Sequence, residues 1–243
     1  MTRPIMAHLV LGYPSLSKSM EVAETYVKAG VSILELQIPF SHPTADGPVI
    51  TNACQKATAQ GVRVQDCLDA IAALRAQWPD QEIMVMSYLN RIYTYGLERL
   101  IVALRGCGVR HLIVPDLPVD SALAREHFNE EAGVRLVPVL AANAAEGRID
   151  QLCAAGFDFF YFMSDFKITG SDFSLNLRLE QLIERVRERN PQARTGIGFG
   201  ISNPAQVRLA TGIADVAIVG SALISAFEKG ELEGQLGALL RAN

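Results

Sequence analysis

The sequence predicts a single (β/α)8 barrel domain that spans residues 1–243. Eight short apolar runs alternate with longer amphipathic stretches, which is the pattern of repeated strand–helix units. The runs lack strict polar–apolar alternation, as expected for parallel strands that helices cover on the outer face. One such barrel needs about 250 residues. The length and the number of units therefore favour a closed barrel over an open, doubly wound sheet.

The predicted strands are short and rich in β-branched, aromatic and other apolar residues. In chain order they are residues 5–11, 33–38, 82–88, 111–115, 135–141, 157–163, 194–199 and 215–219. Between them, residues 17–28, 64–78 and 179–189 carry apolar side chains at helical spacing. Several helices are expected to end at a glycine that leads into the next strand, as at Gly30.

Two strand-to-helix connections, residues 39–51 and 164–178, are longer than the others. Long loops in a compact domain are usually functional, and in a barrel these two would lie on the catalytic face. No G-x-G-x-x-G motif follows the first strand, which argues against a dinucleotide fold. The chain contains no linker-like or low-complexity stretch, so a single domain is expected.

The composition excludes several classes of function. The net charge is −4 and no basic block occurs, which argues against binding to nucleic acid. The 4 cysteines are scattered without a C-x-x-C pair, and the 4 histidines are too dispersed to propose as metal ligands. Neither a signal peptide nor a membrane-spanning segment is expected at the N-terminus. A reducing, cytoplasmic location is the simplest expectation.

A carboxylate pair marks the most distinctive part of the chain. Glu35 lies inside an apolar strand, where a charge is costly unless it is paired or used. Because side chains alternate along a strand, Glu35 and Gln37 share one face and are predicted to point into the barrel. Asp46 follows on the long loop. The pair suggests an acid–base site, although a structural ion pair at Glu35 and a simple turn at Asp46 are the alternatives.

A second constellation is built on glycine. Gly200 follows the seventh strand, and Gly220 with Ser221 follows the eighth. Barrels frequently bind phosphate through backbone N–H groups of these two loops, so a phosphate site is predicted there. Ordinary turn glycines and a serine helix cap are the alternative.

Three further residues could contribute to a site, but each also has an ordinary structural explanation. Asp116 ends the fourth strand and could hold a substrate hydroxyl or cap a helix. Tyr161 could point inward from the sixth strand, or pack in the core. Lys167 could form an imine with a carbonyl substrate, but a solvated surface lysine also explains it.

These residues lie in segments that resemble the tryptophan synthase α subunit family. The resemblance runs from Leu11 to Ser221 and covers nearly the whole chain. Its most specific element is the segment P-F-S-x-P-x-A-D-G-P at residues 39–48. The other matching segments are residues 34–38, 86–90, 95–98, 113–118, 169–170, 198–202 and 218–221.

The resemblance implies a lyase that cleaves indole-3-glycerol phosphate by a retro-aldol reaction, without a metal or organic cofactor. It implies that Glu35 protonates the indole carbon and that Asp46 takes the indole N–H proton. The remaining residues are assigned from the same matching segments. Tyr161 is expected to lie beside the substrate and to take part in catalysis with the two carboxylates. Gly170, Gly200, Gly220 and Ser221 are expected to bind phosphate, and Gln37, Tyr88, Thr169 and Phe199 are expected to be further substrate contacts.

The chain departs from the family pattern at several positions. Gln37 replaces a glycine beside Glu35, and His8 replaces an aromatic residue that packs on the indole. His42 replaces an aspartate on a loop that faces the pyridoxal-phosphate β subunit, which is the partner that the resemblance implies. Two alternatives follow: a divergent paralogue acting on another phosphorylated substrate, or a largely non-catalytic, allosteric partner of a β-like subunit.

Overall fold

The computed structural model describes residues 3–164, 168–169, 172–173, 177–198 and 200–242. Strands and helices alternate along this part of the chain as the sequence predicts. The strands are β1 Ile5–Val10, β2 Ile33–Gln37, β3 Glu82–Met86, β4 His111–Ile113, β5 Arg135–Leu136, β6 Val139–Ala141, β7 Phe159–Met163, β8 Ile168–Thr169, β9 Asp172–Phe173, β10 Arg194–Gly198 and β11 Val216–Val219.

The strands form a nine-stranded sheet and a separate two-stranded ribbon. The order in the large sheet is β5-β4-β3-β2-β1-β11-β10-β7-β6, and β8 pairs with β9. The pairings that define the register within the large sheet are parallel, whereas β8 and β9 are antiparallel. Parallel neighbours need long crossover connections, which the helices between the strands supply.

The helices lie between and after the strands, and the bounds of the first helix have a clear chemical cause. They are α1 Leu16–Ala29, α2 Pro48–Ala59, α3 Val64–Gln77, α4 Leu89–Tyr95, α5 Leu97–Gly106, α6 Ala122–His127, α7 Glu146–Ala154, α8 Leu177–Arg189, α9 Pro204–Ile213, α10 Ser221–Glu228 and α11 Leu232–Leu240, with a 3-10 helix at Glu130–Ala132. Ser15 caps α1 by accepting a hydrogen bond from the Lys18 amide. Gly30 ends that helix at a left-handed φ of 89°.

The chain divides into two compact units. One comprises Ala7–Leu136, and the other comprises Met1–Met6 with Val137–Asn243. Strand β1 contributes residues to both. The prediction of a single domain is not tested by this division and stays a prediction.

The predicted fifth strand, residues 135–141, is two short strands in the structure. The break falls at Val137 and Pro138. Proline has no N–H to donate to a ladder, so the pairing cannot run unbroken through it. The Pro138 carbonyl still accepts a hydrogen bond from the Tyr161 amide at 2.9 Å, which keeps the chain against β7. The ribbon of β8 and β9 was not predicted from the sequence.

Within the part of the chain that the structure describes, no helix is long and apolar enough to cross a membrane.

Candidate active site

Glu35 lies on β2 next to His8 of β1, and both side chains are buried. The Leu11 amide donates to the Gln37 carbonyl at 2.9 Å, and this parallel register sets His8 alongside Glu35. His8 Nδ1 lies 3.3 Å from Glu35 Oε1, with 5% and 4% of the two side chains exposed. The buried glutamate predicted from the sequence therefore has a titratable partner on the adjoining strand.

The charges around His8 favour its protonated form. Burial by itself lowers the pKa of an imidazole, but the nearby carboxylates of Glu35 and Asp46 and the Gln37 amide raise it. The net effect is a His8 pKa above its ordinary value. An imidazolium–carboxylate pair is thus favoured on the inner face of β1 and β2.

Three buried polar atoms in this region have no hydrogen-bond partner among the residues that the structure describes. They are His8 Nε2, Glu35 Oε2 and Gln37 Oε1. Buried polar atoms are nearly always satisfied, because an unpaired one loses its hydration without compensation. Three such atoms on neighbouring side chains are the arrangement expected where a polar ligand completes the hydrogen bonding.

Asp46 is held by two hydrogen-bond donors, one on β2 and one directly before α4. Gln37 Nε2 and the Tyr88 hydroxyl donate to Asp46 Oδ2, at 2.8 Å and 2.9 Å. Burial raises the pKa of the Asp46 carboxyl, and the charge of His8 and these two hydrogen bonds only partly offset that rise. The loop carboxylate is therefore fixed in place and poised to accept a proton more readily than an exposed aspartate.

Tyr88 organises the loop that carries Asp46. Its hydroxyl also accepts a hydrogen bond from the Ala45 amide at 3.1 Å, and its ring stacks on Phe40 with centroids 5.5 Å apart. Burial and the charge of Asp46 raise the pKa of Tyr88, so the side chain stays a neutral phenol donor. The structure thus gives Tyr88 a contact with Asp46, and the substrate contact that the resemblance implies stays a prediction.

Two other candidates in this unit have identifiable surroundings. Asp116 accepts a hydrogen bond from the Leu89 amide at 2.8 Å, at the first residue of α4, which matches the capping alternative. His42 is exposed, and its Nδ1 lies 2.8 Å from the Ser41 hydroxyl. Neither side chain is part of the buried polar group around Glu35.

In the second unit, Tyr161 lies buried on β7 next to β10. Tyr161 and Gly196 are paired in the register of these strands. A Cβ added at Gly198 would lie 2.5 Å from the Tyr161 hydroxyl oxygen, so only glycine fits there without displacing the ring. Gly198 thus makes room for the tyrosine immediately before the predicted phosphate loop.

The phosphate-loop residues are held by side-chain hydrogen bonds. Gly200 has a left-handed φ of 86°. The Ser202 amide donates to Gln206 Oε1 at 2.7 Å, and the Ser202 carbonyl accepts from Gln235 Nε2 at 2.7 Å. These bonds fix the backbone that follows Gly200.

Helix α10 begins at Ser221, directly after Gly220, which has no side chain with which to cap it. The first amides of a helix have no partners within the helix and favour an anion. The geometry therefore supports a phosphate role for Gly220 and Ser221. Gly170, Phe199 and Lys167 lie outside the described residues, and Thr169 lies on β8.

His8 is a candidate site residue whose pairing with Glu35 was not predicted from the sequence. The spacing of the four histidines argues against a role as metal ligands, and the resemblance places His8 only where the family has an aromatic residue that packs on the indole. The available signal was a second polar residue inside the predicted first strand, next to the strand of Glu35. Among the described residues, no group of three histidine, cysteine or acidic side chains could hold a metal ion.

Comparison with known proteins identifies the family. The family model for the tryptophan synthase alpha chain matches residues 2–240. The tryptophan synthase alpha chain of Syntrophotalea carbinolica is 36% identical over 226 residues, covering 93% of this chain and 88% of its own.

Solved structures show the same fold over almost the whole chain. One from Aquifex aeolicus superposes with a TM-score of 0.87 at 30% identity and covers 99% of this chain and 93% of its own. The tryptophan synthase α2β2 complex of Pyrococcus furiosus gives a TM-score of 0.85 at 26% identity, with 99% of each chain covered. The predicted (β/α)8 fold class is confirmed, and the chain belongs to the tryptophan synthase alpha chain family.

Proposed function

We propose that the chain is a lyase that cleaves indole-3-glycerol phosphate to indole and glyceraldehyde 3-phosphate. The observation that carries the proposal is the retention of both carboxylates, the buried Glu35 and the half-buried Asp46, in a member of this family. Within the described part of the chain, Glu35 Oε2 has no hydrogen-bond partner, whereas Asp46 Oδ2 accepts hydrogen bonds from Gln37 and Tyr88. One carboxylate is thus open to a substrate and the other is fixed.

The reaction needs two proton movements, and the two carboxylates supply them. Glu35 takes the proton of the hydroxyl next to the ring and gives a proton to the ring carbon that loses its side chain. Asp46 takes the ring N–H proton while the ring carbon is protonated and returns it at the end. The carbon–carbon bond breaks with its electron pair passing into the ring, and the hydroxyl oxygen becomes the aldehyde oxygen.

The phosphate of the substrate is assigned to the backbone amides around Gly200 and to Gly220 and Ser221 at the start of α10. Gly170, Thr169 and Phe199 are assigned to the substrate by family resemblance alone. Tyr161, which Gly198 accommodates, is assigned to a place beside the substrate.

The assay that tests this function is the release of indole from indole-3-glycerol phosphate by the purified protein. Glu35→Gln should reduce kcat by about 10²- to 10⁴-fold, because the variant has lost its acid–base group. Glu21→Gln removes an exposed carboxylate of α1 and should leave kcat unchanged. Absence of indole, with or without a β subunit, would rule out this substrate.

A second candidate is a divergent lyase that acts on another phosphorylated substrate. It is favoured by His8 and Gln37, whose unpaired buried atoms make this part of the site polar. Screening phosphorylated indoles that carry polar ring substituents would separate the two candidates. Tight binding of a substituted compound, with no turnover of indole-3-glycerol phosphate, would support the second.

The partner that we propose is a tryptophan synthase β-type subunit. The Pyrococcus furiosus structure is of an α2β2 complex, and this chain covers 99% of the matched chain. The exposed His42 lies on the loop that the family resemblance assigns to this partner. Co-purification with a β subunit tests the pairing, and a change in indole release on its addition tests whether the subunits communicate. We also propose a cytoplasmic location, which the four unpaired cysteines fit.

A further inference from the structure

In the His8–Glu35 pair, the proposed chemistry needs only one of the two Glu35 carboxylate oxygens. Glu35 Oε1 faces His8 Nδ1 at 3.3 Å, and Oε2 has no hydrogen-bond partner among the residues described by the structure. The carboxylate therefore has one oxygen committed to the imidazole and one free for a substrate. This division of the two oxygens gives His8 a direct influence on the group that moves the proton.

We propose that His8 is a positioning residue that holds a proton against Glu35, so that the imidazolium–carboxylate pair, and not Glu35 alone, is the working acid–base group. The inference rests on the proposed cleavage reaction and deepens it. It specifies that the active form of the site carries a charged imidazole beside the glutamate.

The surroundings of His8 make this assignment specific. Three groups face its ring: Glu35 and Gln37 on β2, and Asp46 on the loop after that strand. The packed helix α1 contributes Tyr26, whose hydroxyl donates to the His8 carbonyl at 3.4 Å. The carboxylates favour the imidazolium against the effect of burial, so the His8 pKa is raised.

The proton balance of the cleavage is compatible with a permanently charged His8. Glu35 Oε2 accepts the proton of the substrate hydroxyl as the C=O bond forms. The same carboxyl group delivers a proton to the ring carbon, whose bond to the departing carbon breaks with the electron pair moving into the ring. The pair carries the same number of protons before and after the reaction. Nδ1–H keeps Oε1 in place throughout.

The pH dependence of kcat should therefore report the deprotonation of His8. A group whose pKa is raised keeps its proton up to a higher pH and loses it as the pH rises through that pKa. The kcat of the native enzyme should fall as the pH rises above the His8 pKa, because the neutral imidazole no longer compensates the charge of Glu35. Interacting groups titrate as a pair, so the limb reports the pair and not one residue alone.

The kinetic test compares the native chain with His8→Asn across the pH range. Asparagine can still donate a hydrogen bond to Glu35 but has no proton to lose. We expect kcat to fall about tenfold near neutral pH, the effect of about one pKa unit of lost interaction. The basic limb should disappear, so that the two curves converge at high pH. KM should change little. A basic limb that survives unchanged in His8→Asn would overturn the proposal.

His127→Asn is the matched control, because it removes a histidine from α6, outside the buried polar group. It should keep both the kcat and the pH profile of the native chain. A loss of the basic limb in this variant would assign that limb to a histidine other than His8, and the proposal would fail.

A second measurement does not depend on turnover. The ¹⁵N NMR spectrum of the imidazoles can assign His8 by the signal that His8→Asn lacks, since the chain has only 4 histidines. Both ring nitrogens of His8 should be protonated at pH 7 in the native chain. In Glu35→Gln the His8 pKa should drop, because burial still lowers it and the Glu35 charge that raised it is gone. A neutral His8 at pH 7, or a pKa insensitive to Glu35→Gln, would sink the proposal even if indole-3-glycerol phosphate is not the substrate.

Discussion

The two candidate site regions of the molecule use different chemistry to prepare for a ligand. In the unit formed by Ala7–Leu136, buried side chains of several types hold one another, as Gln37 and Tyr88 hold Asp46. In the unit that contains Val137–Asn243, backbone amides and glycines do the corresponding work around Gly200 and Gly220. Side chains that titrate can move protons, whereas backbone amides can only bind.

This contrast yields a rule for variants of the two regions. Changes to the two carboxylates and to the side chains that donate hydrogen bonds to them should alter kcat and its pH dependence. Changes at the glycine loops should alter the affinity for the phosphate or the stability of the fold.

Among the variants that distinguish the two regions, the largest effect is expected for Asp46→Asn. The amide oxygen can still accept hydrogen bonds from Gln37 and Tyr88, so the loop should keep its conformation. The side chain can no longer take the ring N–H proton, and kcat should fall about 10²-fold. Steady-state kinetics measures kcat, and titration calorimetry with glycerol 3-phosphate measures the phosphate site. If Asp46→Asn lost affinity for glycerol 3-phosphate and kept its kcat, Asp46 would belong to phosphate binding and not to proton transfer.

Gly200→Ala should weaken binding of the same phosphate ligand about tenfold and leave kcat at saturation nearly unchanged. An alanine at a φ of 86° costs about 1–2 kcal/mol, so the loop should leave this conformation. Gly147→Ala is the control, since it adds the same methyl group at a helical position where nothing lies within 4 Å. Equal affinities for all three proteins would show that the conformation at Gly200 does not serve phosphate binding.

Gly198→Ala should lower the free energy of unfolding by about 1–3 kcal/mol, since the new Cβ would overlap the Tyr161 hydroxyl. The double variant Gly198→Ala with Tyr161→Phe should recover part of that loss, because the closest atom is gone. Urea unfolding of the two single variants and the double variant measures the coupling. Strictly additive losses would mean that Tyr161 is not what limits the space at Gly198.

The smallest effect is expected for Tyr88→Phe. The hydrogen bond from Tyr88 lowers the pKa of Asp46, so its removal should raise that pKa further. Asp46 then stays protonated to a higher pH, and the acidic limb of kcat should move upward. At neutral pH we expect only a few-fold loss, on the scale of one hydrogen bond to a charged group. A downward shift of the acidic limb would contradict the role given to Tyr88.

How far the sequence could predict this molecule depends on the range of the interaction. The alternation of strands and helices is local, so β2, α3 and α8 lie within two residues of their predicted bounds. The prediction of one continuous fifth strand was wrong. The apolar pattern of residues 135–141 continues through Pro138, but that proline breaks the hydrogen-bond ladder. The ribbon of β8 and β9 has only two residues in each strand, too few to produce a periodic pattern.

The sequence by itself determined the class of fold, the inward face shared by Glu35 and Gln37, and the family, because periodicity and motif spacing are properties of the chain. Only the tertiary structure decided which side chains meet. His8 and Glu35 are 27 positions apart and become partners through the register of β1 and β2. Tyr88 reaches Asp46 across 42 positions. Pairings of this kind depend on how strands and loops pack together, and no local pattern in the sequence records them.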